Sequence, residues 1–334
     1  MNTNLIMHKC IELECRDEWI AALEGVRYSF AHTWENNYAM SLTTGYRTYL
    51  YSFENKGVKI ICPIAEREYN GYIDIVTPYG FSGFTGNDSN SEFQKHWSEF
   101  VKEKKYICGY ITMNPYLQDD SYYRNEDAFR STDLYFIDLR HSLTEMFENL
   151  DANRKKQIRD FRKAESNFIY DKEILTDFFL NNYESFLKRI NASSANYFNR
   201  ETLEAICRSE NVFMVGTGRD IDIEAVYIFG YTPYAGDCLF NVAIPEGREF
   251  APLLLWGGLK FLKKKKIPVV NLGGGLREDD SVALSKQRFG AYKLPFVNLK
   301  QVYDESIYKK LCNENNSDAN DLSGYFPAYR KPKL

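Results

Sequence analysis

No run of this chain approaches the roughly 18 consecutive apolar residues that a membrane-spanning helix needs. The first residues, with His8, Lys9, Glu12 and Glu14, lack the apolar core of a signal peptide, and a cytoplasmic location is expected. Histidine is scarce, at four in 334 residues, and the seven cysteines (10, 15, 62, 108, 207, 238 and 312) are odd in number and scattered. With no Cys-x-x-Cys and no His-paired spacing, neither a metal centre nor a disulfide framework is expected. Cys62, Cys108 and Cys238 sit in strand-like runs and read as core packing. Neither sign of charge dominates: 42 basic and 46 acidic residues leave a net charge of −4. DNA is therefore not an expected partner, and RNA would need a local basic patch. Only the stretch 154–163 qualifies.

What is present is concentrated between Cys238 and Phe296. Cys238-Leu239-Phe240-Asn241-Val242-Ala243-Ile244 reads as a strand stopped by Pro245, and Pro252 suits the first turn of a helix because its missing N–H has no partner there anyway. That helix is apolar through Leu253, Leu254, Trp256, Gly257 and Phe261 and ends in Lys263 to Lys266, where cations favour the negative end of the dipole. Free amides at its start, around Gly247, Phe250 and Ala251, would suit a phosphate; a plain βαβ crossover has the same pattern. Pro268-Val269-Val270-Asn271-Leu272 is a second strand, followed by Gly273-Gly274-Gly275, which expose backbone. Asp279-Asp280-Ser281 can cap a short helix carrying Lys286 and closed by Gly290.

These residues, Asn271 to Gly275, Asp280, Ser281 and Lys286-Gln287-Arg288-Phe289-Gly290, resemble the C-terminal signature of the GNAT acyltransferases. The match is to the branch with two tandem GNAT folds, which includes Fem-type transferases that build peptidoglycan bridges from aminoacyl-tRNA and N-acetyltransferases acting on nucleotide-linked amino sugars. Three further stretches fall in the same order: Thr77-Pro78-Tyr79-Gly80-Phe81-Ser82-Gly83, the basic Asn153-Arg154-Lys155-Lys156-Gln157-Ile158-Arg159, and Arg189 to Phe198. Where family members often carry an aromatic residue before the lysine, this chain has Ser285. Its Pro245-Glu246-Gly247-Arg248-Glu249-Phe250-Ala251 keeps only the first glycine and final small residue of the single-domain GNAT pyrophosphate loop.

The resemblance implies an α/β (α+β) fold of two tandem GNAT-like domains, 1–170 on the acceptor side and 171–334 on the acyl-CoA side, each a mixed sheet flanked by helices, with a cleft between them. It implies acetyl-CoA as acyl donor, with backbone amides of Asn241, Val242 and Ala243, the loop residues Gly247, Phe250 and Ala251, and Gly274, Lys286 and Phe289 as its contacts. Lys286 would stabilise an oxyanion or a phosphate. His32, beside Trp34 and Glu35, is the candidate base, although a core or surface histidine has the same appearance. Tyr79 and Gly80, Arg154 and Arg159, and Arg189, Asn191 and Tyr197 are candidate substrate contacts: two guanidinium forks for a diphosphate, hydrogen-bonding groups and flat rings for a sugar or base. The basic stretch, with Ile158 and Phe161 on its buried side and Arg162 and Lys163 at its end, also reads as a plain solvated helix face.

The element pattern is two similar halves meeting near Asp171: helices at 17–23 and 91–104 with strands at 48–54, 59–64, 106–113 and 135–139, a loop over 69–86 and a basic helix from Leu143; then helices at 175–190 and 200–207, and strands at 212–219 and 224–232. The function expected first is transfer of an acetyl group to the amine of a nucleotide-linked amino deoxysugar for surface polysaccharide synthesis. The alternatives are a Fem-type aminoacyl-tRNA-dependent transferase acting on a peptidoglycan precursor and a GNAT-like protein that only binds. A monomer or homodimer fits either.

Overall fold

The computed structural model describes residues 7–160, 167–219, 222–275, 277 and 280–332. Residue contacts divide the chain into two compact units, one running to Ser131 and taking in Pro295 onward, the other Thr132–Leu294. The chain passes from the first to the second within a strand and returns within another. The sequence pattern, by contrast, placed a single boundary near Asp171.

In the first unit, strand β1 (Met7–Glu12) and helices α1 (Arg16–Leu23) and α2 (Trp34–Thr44) precede strands β2 (Arg47–Asn55), β3 (Val58–Tyr69), β4 (Tyr72–Val76) and β5 (Thr85–Gly86), helix α3 (Phe93–Glu103) and strand β6 (Cys108–Thr112). Strand β7 (Ala128–Asp138) leads out. The second unit holds helices α4 (Leu143–Glu148), α5 (Ala152–Asp160), α6 (Lys172–Arg189) and α7 (Arg200–Arg208), then strands β8 (Val212–Thr217), β9 (Ala225–Tyr231) and β10 (Gly236–Ala243), helix α8 (Ala251–Lys264), strand β11 (Val269–Gly274) and helix α9 (Ser281–Gln287). Strand β12 (Tyr292–Val302) leads back to α10 (Glu305–Glu314).

Strand order in the first unit is β1-β2-β3-β4-β6-β12, with β5 on β3; β4 and β6 run parallel and the other pairs antiparallel. In the second it is β7-β11-β10-β9-β8, and β10 with β11 is the parallel pair. Each unit is thus a mixed sheet flanked by helices, the α/β architecture expected. Phe93, Trp97 and Phe100, at helical spacing on α3, pack on Tyr51, Phe53 and Ile60. In the second unit Leu254, Leu255, Leu259 and Leu262 of α8 cover Phe229, Val270 and Leu272.

The stretch after His32, given no element from the sequence, is a helix, α2, because Thr33 accepts a hydrogen bond from the Asn36 amide and starts it. One expectation is corrected. The expected loop over 69–86 contains β4, which returns from β3 through Asn70-Gly71; both have positive φ, 51° and 77°, as a two-residue type I′ hairpin requires. That hairpin places Asp74 in the core of the first unit, where its side chain is 0% exposed. Arg67 Nε donates to it at 2.7 Å, Arg330 Nε at 2.6 Å and the Tyr329 hydroxyl at 2.7 Å. Removing the carboxylate charge would leave two guanidinium groups without their shared anion. Asp74→Asn is expected to cost about 3–5 kcal/mol, read from urea unfolding; a loss below about 1 kcal/mol would show that water or another group neutralises the arginines.

Candidate functional site

The second unit contains a fork. Strand β10 pairs with β9 along its whole length, but with β11 only at Gly236↔Val270 and Asp237↔Asn271. On its other edge β11 pairs with β7 from Val269↔Asp138 to Gly274↔Leu134, so past Asn271 only its β10-facing edge lacks a strand partner. Two irregularities open the fork. A register shift between Cys238 and Phe240 bends β10, and another between Asn271 and Gly274 bends β11. Gly273 sits in the second with φ +75°, a conformation a side chain would strain.

Asn271 fixes both arms: its Oδ1 accepts from the Gly273 amide at 2.8 Å and its Nδ2 donates to Asp237 Oδ1 at 3.3 Å. The backbone past this bridge, Cys238 to Ala243 on one arm and Leu272 to Gly274 on the other, is released from mutual pairing. A bound chain or acyl arm would find unpaired strand edges there.

Lys286 reaches the fork from α9. Asp280 caps that helix, its Oδ1 accepting from the Ala283 amide at 2.8 Å, and Lys286 Nζ donates to the Gly274 carbonyl at 2.5 Å. Burial lowers the Lys286 pKa to about 8, while the Cys238 sulfur and the Asp280 carboxylate act the other way. The ammonium is therefore a shielded donor with protons to spare, poised near neutrality. Asp279 lies outside the described residues.

Arg154 joins the same helix. Its Nη2 donates to Ser285 Oγ and its Nη1 to Gln157 Oε1, each at 2.7 Å, and its guanidinium lies 5.1 Å from the Phe289 ring centre. Its Nε is buried without a hydrogen-bond partner, which marks a donor with capacity left. Ser285 is the acceptor that holds this arginine. Phe289 is 4% exposed and belongs to the core, so its contact with a donor molecule would pass through Arg154. Arg159 does not converge with Arg154: five positions along a helix is about 140° around it, and Arg159 is exposed, 5.3 Å from Phe147. The expected single helix from Leu143 is broken into α4 and α5, with Asp151 accepting from the Arg154 amide at the break. Phe161, Arg162 and Lys163 lie outside the described residues.

At the far end of β10, Arg189 donates to the Ala243 carbonyl, bringing together two residues the sequence singled out for different ligands. Asn191, with φ +50°, and Tyr197, 38% exposed, follow on the segment after α6. Val242 and Ala243 are buried, and Asn241 is half-buried.

The start of α8 departs from the anion cradle expected. A Cβ on Gly247 would come within 2.2 Å of the Glu224 carbonyl oxygen, so this glycine is required by packing against the β9 end. Arg219 is held there by Glu224, at 3.0 Å, and by Glu249, and Glu246 and Glu249 place two carboxylates in the turn leading to Ala251. Phe250 is buried below, with Arg219 5.7 Å from its ring. The helix start is electrostatically answered by its own chain.

In the first unit, the glycine loop with Tyr79 and Gly80 is braced by the His32 segment. The Ser29 amide donates to His32 Nδ1 at 3.2 Å, so the ring carries its proton on Nε2, which faces the Gly83 carbonyl at 3.2 Å. Gly80, with φ +126°, passes so close to Ala31 that a Cβ would lie 2.8 Å from its methyl group. Tyr79 is left 48% exposed. His32 is 0% exposed and both ring nitrogens are engaged. That corrects its role: it positions the loop and has no free lone pair for a substrate proton. Among the described residues no cluster of His, Cys, Asp and Glu could hold a metal, and no helix is long and apolar enough to cross a membrane.

No family model and no curated sequence matches this chain, but solved structures do. FemX superposes with a TM-score of 0.69 at 11% identity, over 91% of this chain and 99% of that one. A conserved protein of unknown function from Bacteroides thetaiotaomicron gives 0.60 at 11%, over 89% and 100%. The C-terminal domain of a putative lysylphosphatidylglycerol synthetase from Agrobacterium fabrum gives 0.57 at 12%, over 90% and 96%. The chain therefore has the Fem-like fold that its motifs implied.

Sequence reasoning singled out Lys286 and Arg154, which the structure places on or against α9, but gave no role to Asn271, Asp237 or Ser285. An Asn two residues before a glycine run, opposite an Asp on the neighbouring strand, is the signal that could have found the fork. Burial depresses the His32 pKa from 6.5 to about 4. The unfolded chain takes up this proton near pH 6.5 and the folded chain only near pH 4, so stability is complete above 6.5 and falls as pH drops between the two. The loss is about 3 kcal/mol. His32→Gln should flatten that slope in urea melts across this range; an unchanged slope would place the proton uptake elsewhere.

Proposed function

We propose that this chain is an acyltransferase that moves an acyl group onto an amine at the β10/β11 fork. The observation that carries this reading is Lys286, held by burial at a pKa of about 8 with its ammonium on the Gly274 carbonyl beside two strand edges freed from pairing. Attack of an amine on an acyl carbonyl builds negative charge on oxygen, and a preorganised, partly desolvated donor stabilises it. The freed edge of β10 around Asn241 to Ala243 would orient the acyl carrier by main-chain hydrogen bonds. Arg154, with its unfilled Nε, would hold an anionic group on the carrier. The acceptor amine needs no histidine: an amino-sugar amine is partly neutral near pH 7 to 8, and water can take its proton.

The first reading of the substrates is acetyl-CoA and a nucleotide-linked amino deoxysugar. One observation favours the second, an aminoacyl-tRNA donor with a peptidoglycan precursor as acceptor: the start of α8 carries Glu246 and Glu249 and engages Arg219 with its own carboxylates, a poor seat for a pyrophosphate. The likeness to FemX agrees with that second reading. A thiol-release assay with acetyl-CoA against nucleotide-linked 3-amino and 4-amino sugars, with UDP-muramyl pentapeptide as control acceptor and aminoacyl-tRNA as alternative donor, separates the two. Silence with every donor would leave a protein that binds without transfer.

Lys286→Ala should lower kcat about 10- to 1000-fold with the fold intact; an unchanged rate would remove Lys286 from the mechanism. If the ammonium is the active form, the wild-type rate falls as pH rises through about 8, and Lys286→Arg, which keeps its charge, should lose that alkaline limb. An alkaline limb unchanged in Lys286→Arg would assign it to another group.

A further inference from the structure

The second unit carries an aromatic groove that acyl transfer leaves without a role. It is a cavity of about 480 Å³ between β8, α8 and the segment before α6. Phe213 of β8 and Phe261 of α8 stack face to face, with centroids 3.6 Å apart and planes 5° from parallel. Tyr170 lies 5.9 Å from Phe213, and Phe168 meets Tyr170 edge-on at 6.2 Å. Gly257 allows this arrangement: a Cβ there would sit 2.7 Å from the Phe168 ring, so any other residue would push that ring off α8. Tyr170 is 57% exposed, a flat ring at the mouth of the groove.

The rim is cationic. Lys260 and Lys264, one helical turn apart, both line the groove, and Lys265 Nζ lies 5.7 Å from the Phe261 ring. Lys263, on another side of α8, is bound to the carbonyls of Leu139 and His141. The nearest carboxylate in sequence, Asp171, accepts from the amides of Glu173 and Ile174 at the start of α6. A concave, ring-lined wall beside two lysines is complementary to a flat ring joined to an anion.

We infer that this groove binds a free nucleoside monophosphate, its base against the Tyr170 and Phe213 side and its phosphate on Lys260 and Lys264. Stacking on rings tolerates any base, so the site selects the nucleotide class and not one base. The site is independent of Lys286 and of which acyl donor is used.

The test is calorimetric titration of the full chain with AMP and CMP, with adenosine and ribose 5-phosphate as the two half-ligands. Both nucleotides should bind, and each half-ligand should bind at least about tenfold more weakly. Tyr170→Ala and Lys264→Glu, both at exposed positions, should each weaken AMP about tenfold without moving the thermal midpoint, while Lys286→Ala should leave AMP binding unchanged. Because a nucleotide-bearing acyl donor shares this chemistry, the two groove variants decide the location. AMP binding no tighter than ribose 5-phosphate, or wild-type AMP affinity in both groove variants, would overturn the inference. A six-nucleotide single-stranded RNA binding far more tightly than CMP would overturn the commitment to a free nucleotide.

Discussion

Strands β10 and β11 share two residue pairs and then separate, and the chemistry proposed for the second unit depends on that short ladder. A longer pairing would satisfy the backbone of Cys238 to Ala243 and of Leu272 to Gly274 internally and close the sheet. A shorter one would lose the point from which the arms diverge. Asn271 holds the compromise by bonding back to Gly273 on its own strand and across to Asp237 on the other. Backbone groups left unpaired in a sheet are costly unless something satisfies them, so the fork is a place where the fold has traded internal hydrogen bonds for available ones. Lys286 meets part of that need at Gly274.

The electrostatics follow from the same geometry. Lys286 is half-buried because α9 must approach β11 closely to reach Gly274, and the glycines make the approach possible: a Cβ on Gly275 would come within 2.7 Å of the Asp280 carboxylate that caps α9. Burial then lowers the lysine pKa toward neutrality. Arg154 reaches the neighbouring Ser285 from α5 because Asp151 restarts the helix after α4, aiming the guanidinium at α9. Lys286, on α9, and Arg154, reaching α9 from α5, bind different groups. Their separation onto Ser285 and Gly274 gives each a local acceptor.

Much of this was legible in the chain. The strand end set by Pro245, the helix start set by Asp280 and the apolar face of α8 depend on neighbours within a few residues, and these elements formed close to where the pattern put them. What was not legible depends on distant partners. Strand β12 joins β6, about 190 residues earlier in the chain, through pairs such as Leu299↔Ile111, and no local pattern announces that return. The Asn70-Gly71 hairpin was a local signal overlooked among surrounding glycines and aromatics. His32 was misread because polar neighbours resemble an active site in sequence; only its 0% exposure and its bonds to Ser29 and Gly83 show a brace. Lys286 was singled out only through a resemblance, since a lone helical lysine carries no local mark of the burial seen here.

The start of α8 bears most on the donor. Helix N-termini attract anions through free amides and the dipole, yet here the turn supplies its own carboxylates, and the nearby arginine, Arg219, is neutralised by Glu224 and Glu249. A pyrophosphate would have to displace Glu249 from Arg219 or lie beside it, and either raises the cost of binding. An acyl donor whose anionic groups lie elsewhere, within reach of Arg154, would meet no such repulsion. Acyl transfer proposed at the fork and the donor's seat at the α8 turn thus rest on separate groups, which separates the chemistry of the proposed reaction from the identity of the molecule that would bring the acyl group.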